Sequence, residues 1–100
     1  MPITAIITST KPDEAAFFGQ VPSNVETVIE INQWISTLPG FVSQDLNISD
    51  KNVRIHTVVF DTVDNYANWF SQRDSRPGFA ERIEYNKLNN IITTFEETIS

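Results

Sequence analysis

The chain has 100 residues, 40% of them hydrophobic and 11% aromatic, a composition that suits one globular domain over 1–100. Thirteen acidic residues against seven basic ones leave a formal charge of −6, which argues against nucleic acid and membrane partners and favours solubility. The absence of cysteine excludes structural disulfides and thiolate metal sites, and with no signal-peptide pattern or apolar run of about 20 residues the expected location is cytoplasmic.

Ile3 to Thr10 is rich in Ile and Thr and predicts a strand buried on both faces. Lys11 to Pro22 is a long connection broken by Pro12, Gly19 and Pro22. Its adjacent Phe17 and Phe18 would be a liability in water, so they are expected to pack down, as a lid or against a partner chain. Ser23 and Glu26 have the spacing of a capping box. Val25, Val28, Ile31, Ile35 and Leu38 then form one helical stripe bordered by Trp34, and Pro39-Gly40 closes it.

Phe41 to Ile48 predicts a second strand, and Ser49-Asp50-Lys51-Asn52 a four-residue hairpin loop. Val53 to Phe60 returns as a third strand, with Val53, Ile55, Thr57 and Val59 on one face and Arg54, His56, Val58 and Phe60 on the other. Asp61 or Thr62 caps a second helix whose stripe is Val63, Tyr66, Ala67 and Phe70, with Trp69 at its margin. Ser75 and Pro77 open a shorter helical stretch through Phe79 and Ile83. Asn89-Asn90 ends it, and Ile91 to Ile99 alternates as a last strand.

Strand, helix, strand, strand, helix, strand is the order of an α+β, ferredoxin-like split βαβ fold. Its antiparallel sheet runs 4-1-3-2, with two main helices on one face. That order puts the two most apolar strands in the centre and the polar ones at the edges. The third strand is apolar on both faces while the helices cover only one. The uncovered face predicts a homodimer in which two sheets close into a barrel.

The residues that carry a family likeness are Leu38-Pro39-Gly40-Phe41, the run Thr57-Val58-Val59-Phe60-Asp61, and Asn65-Tyr66-Ala67-Asn68-Trp69-Phe70. Together they resemble the dimeric α+β barrel superfamily, in particular its antibiotic-biosynthesis-monooxygenase-like group. That resemblance covers most of the chain from Val25 onward. It implies the ferredoxin-like fold and a range of members: cofactor-free monooxygenases on polycyclic aromatics, haem-degrading enzymes, and small proteins of no known activity. The haem-degrading members carry an asparagine on the first strand, a tryptophan ending the third and a histidine past the second helix. The matching positions here hold Thr8 or Ser9, Phe60, and non-histidine residues around Ala80 to Arg82, which counts against haem chemistry.

His56 is the only histidine and the only side chain that titrates near neutrality unperturbed. Two readings stay open for it: a general base or ligand-orienting donor under the helices, or a strand histidine simply paired with a neighbour. One histidine without cysteine builds no typical zinc site, and neither a nucleophile elbow nor a glycine-rich phosphate loop occurs. Trp34, Phe60, Tyr66 and Trp69, with Arg54, are the candidate lining of an aromatic-binding pocket, although helical spacing also suits Tyr66 and Phe60 to ordinary core. Arg73, Arg76 and Arg82 fit an anionic ligand or, more simply, neutralise acidic surroundings.

The resulting expectation is a small soluble dimer with an apolar pocket that binds or oxidises a small aromatic ligand without metal or other cofactor. The alternative is a non-catalytic accessory or protein-interaction scaffold of the same fold.

Overall fold

The computed structural model describes residues 1–76 and 78–99, so Pro77, expected at the start of the last helical stretch, lies outside the described residues. Strand β1 (Ile3–Thr10) leads through short 3-10 turns at Phe18–Gln20 and Pro22–Asn24 into helix α1 (Val25–Ser36). The chain continues as β2 (Phe41–Asp50), β3 (Val53–Phe60), α2 (Val63–Arg73), α3 (Phe79–Leu88) and β4 (Ile92–Ile99). All neighbouring strands pair antiparallel in the order β2-β3-β1-β4, the ferredoxin-like sheet expected from the sequence.

Register decides what each face carries. Ile3 lies opposite Phe60 on one side and Ile99 on the other, and Ser9 lies opposite Arg54 and Thr93. Directly paired residues share a face and alternate along each strand. One face therefore presents Ile3, Ala5, Ile7 and Ser9 beside Phe60, Val58, His56 and Arg54. The helices pack there: Ile31 and Ile35 of α1 and Tyr66 and Trp69 of α2 join Ile3, Ala5, Val58 and Phe60 in one core. The opposite face presents Thr4, Ile6 and Thr8 beside Ile55, Thr57 and Val59, all half-buried. The edge strands are mostly exposed, as their composition predicts.

Several local expectations need correction. Ser23 sits in the 3-10 turn and no side chain caps α1; the 3-10 turn takes up that helix start instead. Side-chain capping occurs one turn earlier, where the Phe17 amide donates to Gln20 Oε1 at 2.9 Å. The hairpin loop is tighter than four residues, because Asp50 pairs with Val53 and only Lys51 and Asn52 form the turn. Asp50 Oδ1 accepts from the Asn52 amide at 3.0 Å, which closes it.

On α2 the buried stripe is rotated by one position. Tyr66 and Trp69 are the buried residues, whereas Val63, Ala67 and Phe70 face outward. Trp69 is 3% exposed, central in the core instead of marginal. An indole buries far more apolar area than the alanine or valine it displaces from the inner face, so the helix turns to bury it.

Thr62 caps α2 as expected, its hydroxyl accepting from the Asn65 amide at 3.2 Å. Gly40 explains the turn before β2. Its φ is +77°, and a Cβ there would overlap the Asn65 and Asp61 side chains. Its carbonyl also accepts from the Asp61 amide at 2.8 Å. The turn after α1 and the start of α2 thus form one unit, and only glycine fits between them.

Candidate functional site

The helix-covered face is filled at one end and hollow at the other. At the β3 C-terminal end, Phe60 stacks on Trp69 with ring centroids 5.7 Å apart and meets Tyr66 and Phe41 edge-on. Toward the other end of the same strand, small Ser9 lies across from Arg54 and Thr93, and helix α3 closes over the gap. The result is a partly enclosed cavity of about 150 Å³.

Its apolar wall is Ile7, Phe79, Ile83 and Phe95. Ser9, Thr93 and Asn86 supply neutral polar groups, and the Ser9 and Thr93 hydroxyls are 3.2 Å apart. The charged lining is wholly basic: Arg54 from β3, Arg73 from the end of α2 and Arg82 from α3, with His56 beside them. A second recess of about 20 Å³ adjoins it, sharing Ile7, His56, Arg73, Phe79 and Arg82 and adding Trp34 and Trp69.

Local sequence accounts for this arrangement. Arg54 and His56 are two apart on a strand, so they emerge on one face. The guanidinium of Arg54 lies 5.4 Å from the centre of the Phe17 ring, which the long loop holds inward. That loop is anchored to α3 by the Tyr85 hydroxyl, which donates to the Ala16 carbonyl at 2.7 Å, and by the Phe18–Tyr85 edge contact. The paired phenylalanines thus pack within this chain. Arg82 stacks 5.2 Å from the Phe79 ring, and Arg73 lies 4.3 Å and 4.5 Å from Phe70 and Phe95. Arg76 caps Trp34 at 4.6 Å.

Electrostatics follows from burial without counter-charge. Among the described residues the ion pairs are Lys51–Asp13 and a 3.7 Å contact of Arg73 with exposed Asp74. Neither Arg54 nor Arg82 appears in one. Burial, then Arg54 and Arg73, pull Arg82 down to about 10. Burial also lowers Arg54. His56 falls to about 4, first through burial, then through Arg54 and Arg82, with Asp45 opposing.

His56 is therefore neutral at neutral pH, and its tautomer follows from the network. Gln44 Nε2 donates to the Asn32 carbonyl at 2.9 Å, so Gln44 Oε1 faces His56 Nε2 at 2.9 Å and must accept. The proton sits on Nε2 and the lone pair on Nδ1. Both readings of His56 meet here: it is a strand histidine paired with a neighbouring side chain, and it lines the cavity.

The other candidate residues divide. Arg54 lines the larger cavity and Trp34 and Trp69 the smaller, while Phe60 and Tyr66 line neither and belong to the core. Sequence reasoning missed Ser9, Phe79, Thr93 and Phe95, which no motif marks and only strand register and helix docking assemble. Of the three arginines that fit an anionic ligand or neutralise acidic surroundings, Arg73 and Arg82 line the larger cavity and Arg76 the smaller recess. Among the described residues no group of three His, Cys, Asp or Glu side chains could hold a metal ion. No helix among them is long and apolar enough to cross a membrane.

No protein-family model matches the chain, and no curated protein matches it in sequence. Solved structures do. SnoaB, a cofactor-independent oxygenase from Streptomyces nogalater, superimposes with a TM-score of 0.65 at 17% identity, over 99% of this chain and 92% of its own. A candidate antibiotic biosynthesis monooxygenase from Deinococcus radiodurans gives 0.66 at 13% identity, over 98% and 91%. A dimeric ferredoxin-like protein from an uncultured marine organism gives 0.71 at 9% identity, over 99% and 94%. The chain has the ferredoxin-like fold of antibiotic-biosynthesis-monooxygenase structures.

Proposed function

We propose that this protein is a homodimer that binds a small aromatic ligand in the cavity between the sheet and α3, and that it uses no metal to do so. The observation that carries the reading is the cavity itself, a partly enclosed space of about 150 Å³ between Ile7, Phe79, Ile83 and Phe95. Cavities of roughly this volume take a benzene-sized guest. The occupant is thus one ring, smaller than the polycyclic substrates that the family resemblance implies.

Dimerisation rests on the other face of the sheet. Ile6, Ile55, Val53 and Val59 form its centre, with Asp45, Asn47 and Glu96 toward the edges on the same face. An apolar centre with a polar rim is the pattern of a stable interface. The description of the marine ferredoxin-like structure as dimeric supports a homodimer. Light scattering at micromolar concentration should return twice the chain mass; a stable monomer there would contradict it.

If the bound ring carries an acidic methylene beside a carbonyl, dioxygen can convert that methylene to a ketone. One oxygen atom enters the product and the other leaves with the two hydrogens as water, so no external reductant is needed. His56, unprotonated and with its lone pair on Nδ1, is the side chain available to receive a proton. The cofactor-independent oxygenase activity of SnoaB supports this option.

A methyl-resolved NMR titration with monocyclic aromatics tests the binding. Shifts at Ile7 and Ile83 are expected, and their absence at millimolar ligand would favour the non-catalytic scaffold, which the packing of Phe60 and Tyr66 into the core already suits. Oxygen uptake with a bound ligand separates oxidation from binding alone.

A further inference from the structure

The cavity has a charge pattern opposite to that of the whole chain. The protein carries thirteen acidic residues against seven basic ones, yet three arginines converge on one cavity and no carboxylate lines it. We propose that the ligand of this cavity is a monocyclic aromatic carboxylate, its ring between Phe79, Phe95 and Ile83 and its carboxylate held by Arg54 and Arg82. The inference rests on the cavity being the small-aromatic site described above, and it adds the charge of the ligand.

Three observations converge. First, Arg54 and Arg82 make no ion pair among the described residues. Both guanidiniums are partly buried, and a cation drawn out of water without a counter-charge favours a ligand that supplies one. Second, each guanidinium lies over an aromatic ring, Arg54 at 5.4 Å from the centre of Phe17 and Arg82 at 5.2 Å from that of Phe79. A cation–π contact takes up no N–H donor of its own, and a guanidinium fork matches a carboxylate in a bidentate pair. Third, the buried Ser9 hydroxyl and its Thr93 partner lie in the same cavity, and whichever of them accepts in their mutual hydrogen bond keeps its own proton to donate to an oxyanion.

A carboxylate in that position also acts on His56. The charges of Arg54 and Arg82 hold the imidazole down, after burial and against Asp45, and Arg73 faces the same cavity. A bound anion offsets those charges, so the pKa of His56 rises from its value in the free protein. Binding would thereby make His56 a better base only when the site is occupied.

The test is calorimetric titration of the full chain at pH 7 with benzoate, its neutral counterpart benzamide, and acetate, which has the charge without the ring. Benzoate should bind at least about tenfold more tightly than either. Arg82→Gln should weaken benzoate about tenfold or more, the usual worth of a charge-assisted hydrogen bond, and weaken benzamide by a smaller factor. His56 ring resonances followed against pH should show a higher pKa with benzoate present.

Equal affinity for benzamide would overturn the carboxylate assignment and leave the aromatic site standing. Equal affinity for acetate would overturn the aromatic site and leave only an anion pocket. No binding of any of the three at millimolar concentration would remove both. A His56 pKa that ignores bound benzoate would place the ligand elsewhere and refute the assignment. Should Arg82→Gln fail to fold, Arg54→Gln and the three-ligand comparison on the parent decide the matter.

Discussion

The two ends of one sheet face are built for different ends. At the Phe60 end, Ile3, Ala5, Val58, Phe60, Tyr66 and Trp69 are buried and interlocked, with the aromatic rings in mutual contact. At the Arg54 end, the same strands present Ser9, Arg54 and His56 to a cavity, and the positive charges there repel one another. The packed end holds the fold, while the hollow end keeps partly buried like charges together, a cost that the proposed ligand would offset. Strands β1 and β3 serve both, because four residues of register separate Phe60 from His56.

The largest expected effect lies at the packed end. Phe60→Ala or Trp69→Ala removes a large side chain that is 0% or 3% exposed, and each should cost about 3–5 kcal/mol in chemical denaturation. Ile83→Ala, at the half-exposed lip of the cavity, should cost about 1 kcal/mol or less. Similar losses at both ends would erase the distinction.

Next in size is the pH response of the hollow end. His56 titrates near 4 in the folded chain against about 6.5 when unfolded. The unfolded chain therefore binds a proton first as pH falls. The contribution is fully present above about pH 6.5, declines down to about pH 4, and is flat below. Over that window it amounts to about 3 kcal/mol. His56→Gln should flatten the parent's melting profile between pH 6.5 and 5, above most carboxylate titrations. An unchanged profile would mean His56 is not buried as described.

A matched pair of smaller changes sharpens the comparison. Thr62→Ala removes the α2 cap near the packed end, and Tyr85→Phe removes the bond from α3 to the Ala16 carbonyl near the hollow end. Each should cost about 1 kcal/mol. Only Tyr85→Phe should also weaken benzoate, since it loosens the loop that holds Phe17 against Arg54.

Legibility in the sequence follows the same division. The sheet order was readable because apolar content alone separates central β1 and β3 from edge β2 and β4. The common face of Arg54 and His56 was readable from a spacing of two on a strand. On helix α2 the buried stripe lies one position from the one the spacing predicts: a count of apolar residues gives Val63, Ala67 and Phe70 the same weight as Trp69, whereas burial is set by area. The hollow itself was invisible. It depends on Ser9 meeting Thr93 across strands 84 residues apart in sequence and on Arg82 turning inward from α3, neither of which a local pattern encodes.

Thermal unfolding of Arg82→Met beside the parent, each with and without benzoate, addresses the central claim most directly. Arg82 is partly buried and makes no ion pair among the described residues, so an apolar chain of similar length there breaks no pair and removes a charge that Arg54 and Arg73 repel. The account predicts that the variant melts no lower than the parent when both are free. It also predicts that benzoate raises the melting temperature of the parent more than that of the variant. A variant that melts well below the parent, with benzoate moving neither or both alike, would show that Arg82 supports the fold and not a ligand.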